Sequence, residues 1–395
     1  MPERIETVII GGGQAGLSLS YFLTRAGREH IVLEKAPKAA DAWRSRRWDS
    51  FTLVTPNWTF MLPGAEYDGE DEAGFMTKNE ITARFEQYQR ANRLPVLPST
   101  EVTRVEPVEG RFRYRVWAGS HMFEAVNVVL ASGMYQKVKI PGFASQIAPE
   151  ILQIPSDAYR NPQALPPGAV VVVGSAQSGC QIAEELHEAG RKVYLSTGSA
   201  GRIPRRYRGA DGFDWLIHVG FFDRTVEALN SPRDRFISAP HLSGKGGGHE
   251  INLHKFSRDG IILLGHAIGC EDGRLAFAPD LRENLARADK IAADAVRLFD
   301  AYAQRHALDL PAEEVEILDD GYRAPLIETL DLKAAGVGVV IWATGYTFDY
   351  SLVQLPLLDA YRFPAADRGV TRHPGLYLLG MTWMNKLKSG FLMGI

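Results

Sequence analysis

The chain has 395 residues, about 2.6 times a usual domain length of roughly 150, so it exceeds any single small stapled module and suits two domains, each with its own core. Lys and Arg number 44 against 47 for Asp and Glu, a net charge of −3. That balance leaves no basic footprint for a polyanion and excludes nucleic acid as the main partner.

Cys180 and Cys270 are the only cysteines. Their separation suits neither a disulfide framework, nor a CxxC redox pair, nor a zinc site, and points to a reducing cytoplasm. The opening MPERIETVIIGGGQAG is too short in apolar residues for a signal-peptide core, and no window approaches 18 uninterrupted apolar residues. Neither export nor a membrane span is expected.

In chain order, Thr7-Val8-Ile9-Ile10 reads as a short buried strand, followed by the turn Gly11-Gly12-Gly13-Gln14-Ala15-Gly16 and a helical stretch. The next strand, His30 to Leu33, ends in Glu34. An acid about 20 residues after the first glycine reaches a ribose hydroxyl, so this is the opening of a dinucleotide-binding βαβ unit. Gly11 permits the tight bend, Gly13 lets backbone amides approach a pyrophosphate, and Gly16 lets helix and strand pack closely. Glu101 to Val105, Arg111 to Trp117 and Phe123 to Leu130 are the following strands, leading to Ala131-Ser132-Gly133.

A second unit starts after Gly168, as strand, turn Gly174-Ser175-Ala176-Gln177-Ser178-Gly179, helix, and a strand from Lys192 to Ser196. Ala176 stands at the middle glycine position, where its methyl crowds a pyrophosphate. No acid ends the second strand. Arg202, Arg205, Arg206 and Arg208 follow instead, and a guanidinium fork suits the extra phosphate of NADP(H), although a solvated basic loop is the alternative. Pro240 to Gly248 reads as a glycine-rich loop without a packing signal, and Leu281 to His306 as the clearest amphipathic helix. His241, His249 and His254 match no compact zinc spacing and read as loop residues. Cys180 reads as a small apolar packing residue. Gly336 to Trp342 is another buried strand, ending at Ala343-Thr344-Gly345-Tyr346, and Gly375 to Gly380 a strand returning to the first sheet.

The predicted fold class is therefore α/β, with two dinucleotide-binding Rossmann-like domains and the second inserted into the first. Residues 1–163 and 325–395 form the first, and residues 164–324 the insert.

GGGQAG, the later GSAQSG, WATGY at 342–346 and the segments Trp43-Arg44, Trp48-Asp49-Ser50, Val54-Thr55-Pro56-Asn57-Trp58 and Arg202 to Gly209 resemble the flavin-containing monooxygenases and related bacterial flavoproteins over nearly the whole chain. The resemblance implies FAD in the first domain and NADPH in the insert. It implies a cofactor-binding set of Gly11, Gly13, Gln14, Ala15, Gly16, Glu34, Lys35, Trp43, Arg44, Val102 and Ala131 for FAD. For NADPH and the link between domains it implies Gly174, Ser175, Gln177, Ser178, Gly179, Ser196, Arg205, Arg206, Thr344, Gly345 and Tyr346. Asn57 is placed near the flavin and its oxygen adduct, with an Asx turn after Pro56 as its alternative role, and Trp48 and Asp49 join it as catalytic candidates.

The implied reaction takes hydride from NADPH and inserts one oxygen atom of O2, through a C4a-(hydro)peroxyflavin, into a small-molecule nitrogen, sulfur or ketone substrate. One departure stands out. Aligning the family fingerprint FxGxxxHxxxY on Tyr159 puts Pro149, Ile151 and Pro155 at its Phe, Gly and His positions, which leaves an NADPH oxidase or reductase, or a non-catalytic nucleotide sensor, as competing readings. Such chains also run on past a segment like Ser389 to Gly394 into a short helix, which implies further residues beyond Ile395. Monomer and homodimer are both open.

Overall fold

The computed structural model describes residues 2–237 and 239–394. The first unit opens with β1 (Glu3–Ile10), α1 (Gln14–Arg25) and β2 (His30–Leu33), and continues with α2 (Asp41–Ser45) and α3 (Lys78–Ala91). β3 (Val96–Leu97), β4 (Val102–Pro107), β5 (Tyr114–Ala118) and β6 (His121–Leu130) complete its first stretch. The second unit consists of β7 (Leu152–Pro155), β8 (Ala169–Val173), α4 (Gln177–Glu188), β9 (Val193–Ser196), α5 (Gly212–His218), α6 (Leu253–Asp259), β10 (Ile262–Leu264), α7 (Leu281–Arg305) and β11 (Val337–Trp342). The chain then returns to the first unit with β12 (Leu376–Leu378).

Two sheets result. The first runs β3-β2-β1-β6-β5-β4, with β12 beside the end of β6. Its β1, β2, β3, β6 and β12 neighbours are parallel, and β4 to β6 form an antiparallel meander. The second runs β7-β11-β8-β9-β10, parallel throughout. β8 is Ala-Val-Val-Val-Val and every residue is buried, as a central parallel strand covered on both faces requires.

The domain limits expected at 164 and 324 move outward. β7 and β11 lie outside them, yet β11 pairs with β8 on one side and β7 on the other. Chain order groups the strand after Gly336 with the returning segment, since hydrophobic pattern carries no information about which sheet a strand joins. The connection between sheets is instead the short antiparallel ribbon of Lys137–Val138 with Tyr346–Thr347.

Helix positions follow from local chemistry. Thr77 and Glu80 form a reciprocal capping box at the start of α3, satisfying two first-turn amides. On α7, Leu281, Leu285, Ala288, Ala292, Phe299 and Ala303 are buried at the three-and-four spacing of one helical face. One apolar cluster joins Leu17, Trp48, Phe51 and Phe85 of the first unit to Val170, Cys180, Leu195 and Ile341 of the second, so the units share a core along their seam. No helix among the described residues is long and apolar enough to cross a membrane.

Candidate dinucleotide and reaction site

The two glycine turns are geometric copies. Gly11 and Gly174 hold φ of +112° and +107°, a region that favours glycine. A methyl at either would meet a carbonyl oxygen, of Ala131 or Ala343, at 2.5 Å. Gly16 and Gly179 pack against the carbonyls of Gly11 and Gly174 too closely for any side chain. Ala15 and Gly16 are buried behind the turn. The residue capping each helix is extended, Gly13 at φ −80° and ψ −170° and Ala176 at −77° and −178°. Neither cap has a side-chain hydrogen bond, so the first-turn amides of α1 and α4 face outward without side-chain acceptors. Nothing lies within 4 Å of where a Gly13 methyl would stand. An anion has room there, at the positive end of a helix.

Glu34 is buried at the end of β2. Its two carboxylate oxygens accept the amides of Gly12 at 2.7 Å and Ala36 at 2.9 Å, which fixes the carboxylate beside the turn with lone pairs remaining for hydroxyls. Lys35 is exposed, and Val102 is buried at the start of β4. In the second unit Ser175 takes the corresponding anchoring role, its Oγ accepting the Gly198 amide at 3.0 Å. Ser178 is partly exposed on the first turn of α4. Ser196 is fully engaged, donating to Gly265 O at 2.9 Å and accepting from Ala267 at 3.1 Å.

Gln14 and Gln177 occupy matching places and do matching work. The Gln14 amide donates to the carbonyls of Phe391 and Leu392 at 3.1 and 3.0 Å, tying the C-terminal segment to the first turn. Gln177 donates to Leu242 O at 2.6 Å and accepts from its amide at 3.2 Å, tying the glycine loop to the second. That loop does pack: His241, Leu242 and Ser243 are buried. His254 is likewise no loop residue. It is buried on α6, with Nε2 3.0 Å from Asp289 and Nδ1 accepting the Gly321 amide.

The arginines separate by partner. Arg202 is buried against Glu250 and Asp289. Arg205 is buried, paired with Asp211 at 2.8 Å, stacked on Phe75 and donating to Val54 O at 2.7 Å. Burial pulls its pKa down. Its contacts with Val54 and Phe75 pin the insert to the first unit, while its Nε and Nη2 make no hydrogen bond among the described residues. Arg208 pairs with Asp300 at 3.0 Å. Arg206 is 53% exposed, with its nearest acid, Asp211, at 3.8 Å.

Of the three catalytic candidates, Asn57 and Trp48 are buried and the Asp49 side chain is 54% exposed. Asn57 is buried, its Oδ1 accepting from Met76 at 2.6 Å and its Nδ2 donating to Asp71 O at 2.9 Å. It closes its own loop across these longer spans rather than through an Asx turn. Trp48 is a core residue set edge-on to Phe51. Asp49 accepts from Lys78 and Asn161, both at 2.7 Å, and those bonds lower its pKa. Trp43 lies beside Phe51, and Arg44 donates to Glu86 at 2.8 Å. On the connecting ribbon, Thr344 Oγ1 donates to Lys139 O, the Gly345 carbonyl accepts from Lys139, and Tyr346 sits edge-on to Tyr135. Pro155 ends β7 beside Trp342, and Tyr159 is buried with its hydroxyl on Glu185 at 2.9 Å.

Residues 8–208 match the family described as pyridine nucleotide-disulphide oxidoreductase. The uncharacterized oxidoreductase CzcO-like of Geobacillus kaustophilus (strain HTA426) is 30% identical over 399 residues, spanning 100% of this chain and 96% of the relative. Indole-3-pyruvate monooxygenase YUCCA8 of Oryza sativa subsp. indica is 27% identical across 52% of this chain and 51% of its own length. Among solved structures, a flavin-containing monooxygenase from Stenotrophomonas maltophilia superposes with a TM-score of 0.63 at 20% identity, covering 100% of this chain and 95% of that one.

Proposed function

Because the chain belongs to the pyridine nucleotide-disulphide oxidoreductase family, we propose that it is an FAD-dependent, NADPH-reduced monooxygenase acting on a small molecule. The observation that carries this reading is the pair of turns with the same backbone geometry, one open at Gly13 and the other bearing Ala176. Two cradles of one design in one chain fit two dinucleotides.

FAD suits the first. Its diphosphate would meet the amides of Gly13 to Gly16, and Glu34 a ribose hydroxyl. NADPH suits the second, with Arg206 the guanidinium left to meet the added phosphate. A bound flavin supplies hydride acceptance and oxygen activation. The chain orients it: Gln14 holds the C-terminal segment over the first turn, and the buried Arg205–Asp211 pair holds the insert against the Val54 strip.

Relay of electrons to a protein dithiol has no support, since Cys180 is buried on α4 with its thiol pushed up by desolvation, and Cys270 lies in a separate sheet. Pro155, which has no side-chain donor where the fingerprint has His, favours a second reading as an NADPH oxidase. The purified enzyme loaded with FAD is expected to bleach near ~450 nm on anaerobic addition of NADPH, as flavin reduction requires. On admitting O2, an oxygenated product supports the monooxygenase, and peroxide in a one-to-one ratio to NADPH supports the oxidase. Failure to bleach sinks both.

A further inference from the structure

Arg47 has no counter-ion among the described residues. Its neighbours in sequence are anchored, Arg44 on Glu86 and Arg46 on the carbonyl of Tyr135 at 2.7 Å. Arg47 makes one hydrogen bond, from Nη1 to the Arg46 carbonyl at 2.9 Å, and forms no ion pair among the described residues. Aromatic rings surround it instead: its guanidinium carbon lies 5.3 Å from the centre of Trp43, 5.4 Å from Phe51 and 5.8 Å from Tyr135. The residue is only partly exposed, and the desolvation lowers its pKa. Asp157 adds a favourable field without contact.

A half-buried guanidinium whose remaining donors are unmatched by protein acceptors among the described residues suits an anion that presents two oxygens in a plane. Its position says which anion. The segment carrying it is fastened to the first glycine turn through the Ala40 amide on Gly12 O at 2.9 Å. Tyr346 stands on the ribbon between the two sheets, and Tyr135, two residues before the ribbon's other strand, packs edge-on to it. The pyrophosphate of FAD has its own amides at the turn, so this cation is left for a third component at the seam.

We propose that Arg47 binds the carboxylate of an aromatic acid substrate, whose ring joins the Trp43, Phe51 and Tyr135 cluster. This rests on the reading of the chain as a flavin enzyme and names its substrate class. Cation–aromatic contacts hold the guanidinium in place before the acid arrives, so little ordering is needed on binding.

The test titrates the FAD-loaded enzyme with 3-phenylpropanoate and, separately, 3-phenylpropanamide, following the flavin absorbance. A hydrogen-bonded charge predicts that the acid binds on the order of tenfold tighter than the amide, or more. Arg47→Gln is expected to abolish that preference and Arg47→Lys to keep part of it, with FAD content and the KM for NADPH unchanged in both. Equal affinity for acid and amide in the parent enzyme, or no binding of either, overturns the proposal. So does loss of FAD from both variants at unchanged Tm, which would assign Arg47 to the flavin. Normal bleaching by NADPH alongside any of these failures leaves the flavin-enzyme reading standing, which keeps the two separable.

Discussion

Replacing Gly13 by Ala separates the turn's role in folding from its role in binding. Gly13 is extended, so no positive-φ penalty arises, and the space a methyl would enter holds no atom within 4 Å. Ala176 shows the same backbone carrying that methyl. Ala is a poorer helix cap than Gly by about 0.5–1 kcal/mol, while the stiffer unfolded chain returns about 0.4–1 kcal/mol. The stability of the apoprotein is therefore expected to change by less than about 1 kcal/mol. On the proposed reading of the turn, the methyl would stand between the first-turn amides and the FAD diphosphate. Losing one charge-assisted hydrogen bond costs about 1.5–3 kcal/mol, a weakening of FAD binding of about 10- to 150-fold. Gly16→Ala is the contrast. Its methyl would lie 1.9 Å from Gly11 O, where a carbon and an oxygen normally approach to about 3.3 Å. The helix must move by more than about 1 Å, at a cost at or above the usual 1–3 kcal/mol of overpacking. Urea unfolding of the apoproteins and titration by FAD fluorescence quenching measure the two effects independently. Unchanged FAD affinity in Gly13→Ala, or parental stability in Gly16→Ala, would refute the assignment of the turn.

The reverse change in the second turn, Ala176→Gly, is expected to lower the KM for NADPH about fivefold through one recovered amide contact of about 1 kcal/mol, and steady-state kinetics at saturating substrate check it. Asp289 is pushed up by burial, but hydrogen bonds from His254, Tyr322 and Arg202 outweigh this and bring it to about 2. Its folded value lies below its unfolded one, so it contributes about 2 kcal/mol that is present above about pH 4 and is lost as pH falls towards 2. Asp289→Asn should be less stable by that amount at pH 7 in urea melts, and the gap from the parent should narrow below pH 4. His241 is buried with Nε2 unpartnered among the described residues, and burial lowers its pKa to about 4. The unfolded chain binds the proton first, so this group favours folding fully above about pH 6.5 and withdraws about 3 kcal/mol as pH falls to 4. The urea midpoint of His241→Leu should lose that part of its pH slope; an unaltered slope would mean the imidazole is not neutral inside the fold.

Both glycine turns were readable from the linear order of residues, because what shapes them lies within a few residues: a positive φ at Gly11 and Gly174, a helix that begins three residues later at Gln14 and Gln177, and a close carbonyl at Gly16 and Gly179 in its first turn. The alternating and fully apolar runs marked the strands, including the return of Leu376–Leu378, and the three-and-four stripe marked the long helix. What sequence order could not supply was partnership. Four arginines in a row of loop residues looked like a phosphate grip, yet Asp211, Glu250, Asp289 and Asp300 claim three of them, and those acids arrive from other elements. Asn57 looked available until Asp71 and Met76 folded back onto it. Gly336 to Trp342 announced a strand, and only its pairing with Val170–Val173 gave it to the second sheet. Arg47 is the converse, a charge in a run of charges that the fold leaves without an acid among the described residues. Backbone preference is a property of a few adjacent residues, whereas the cost of a buried charge depends on every group brought near it, and that is decided only when the chain closes on itself.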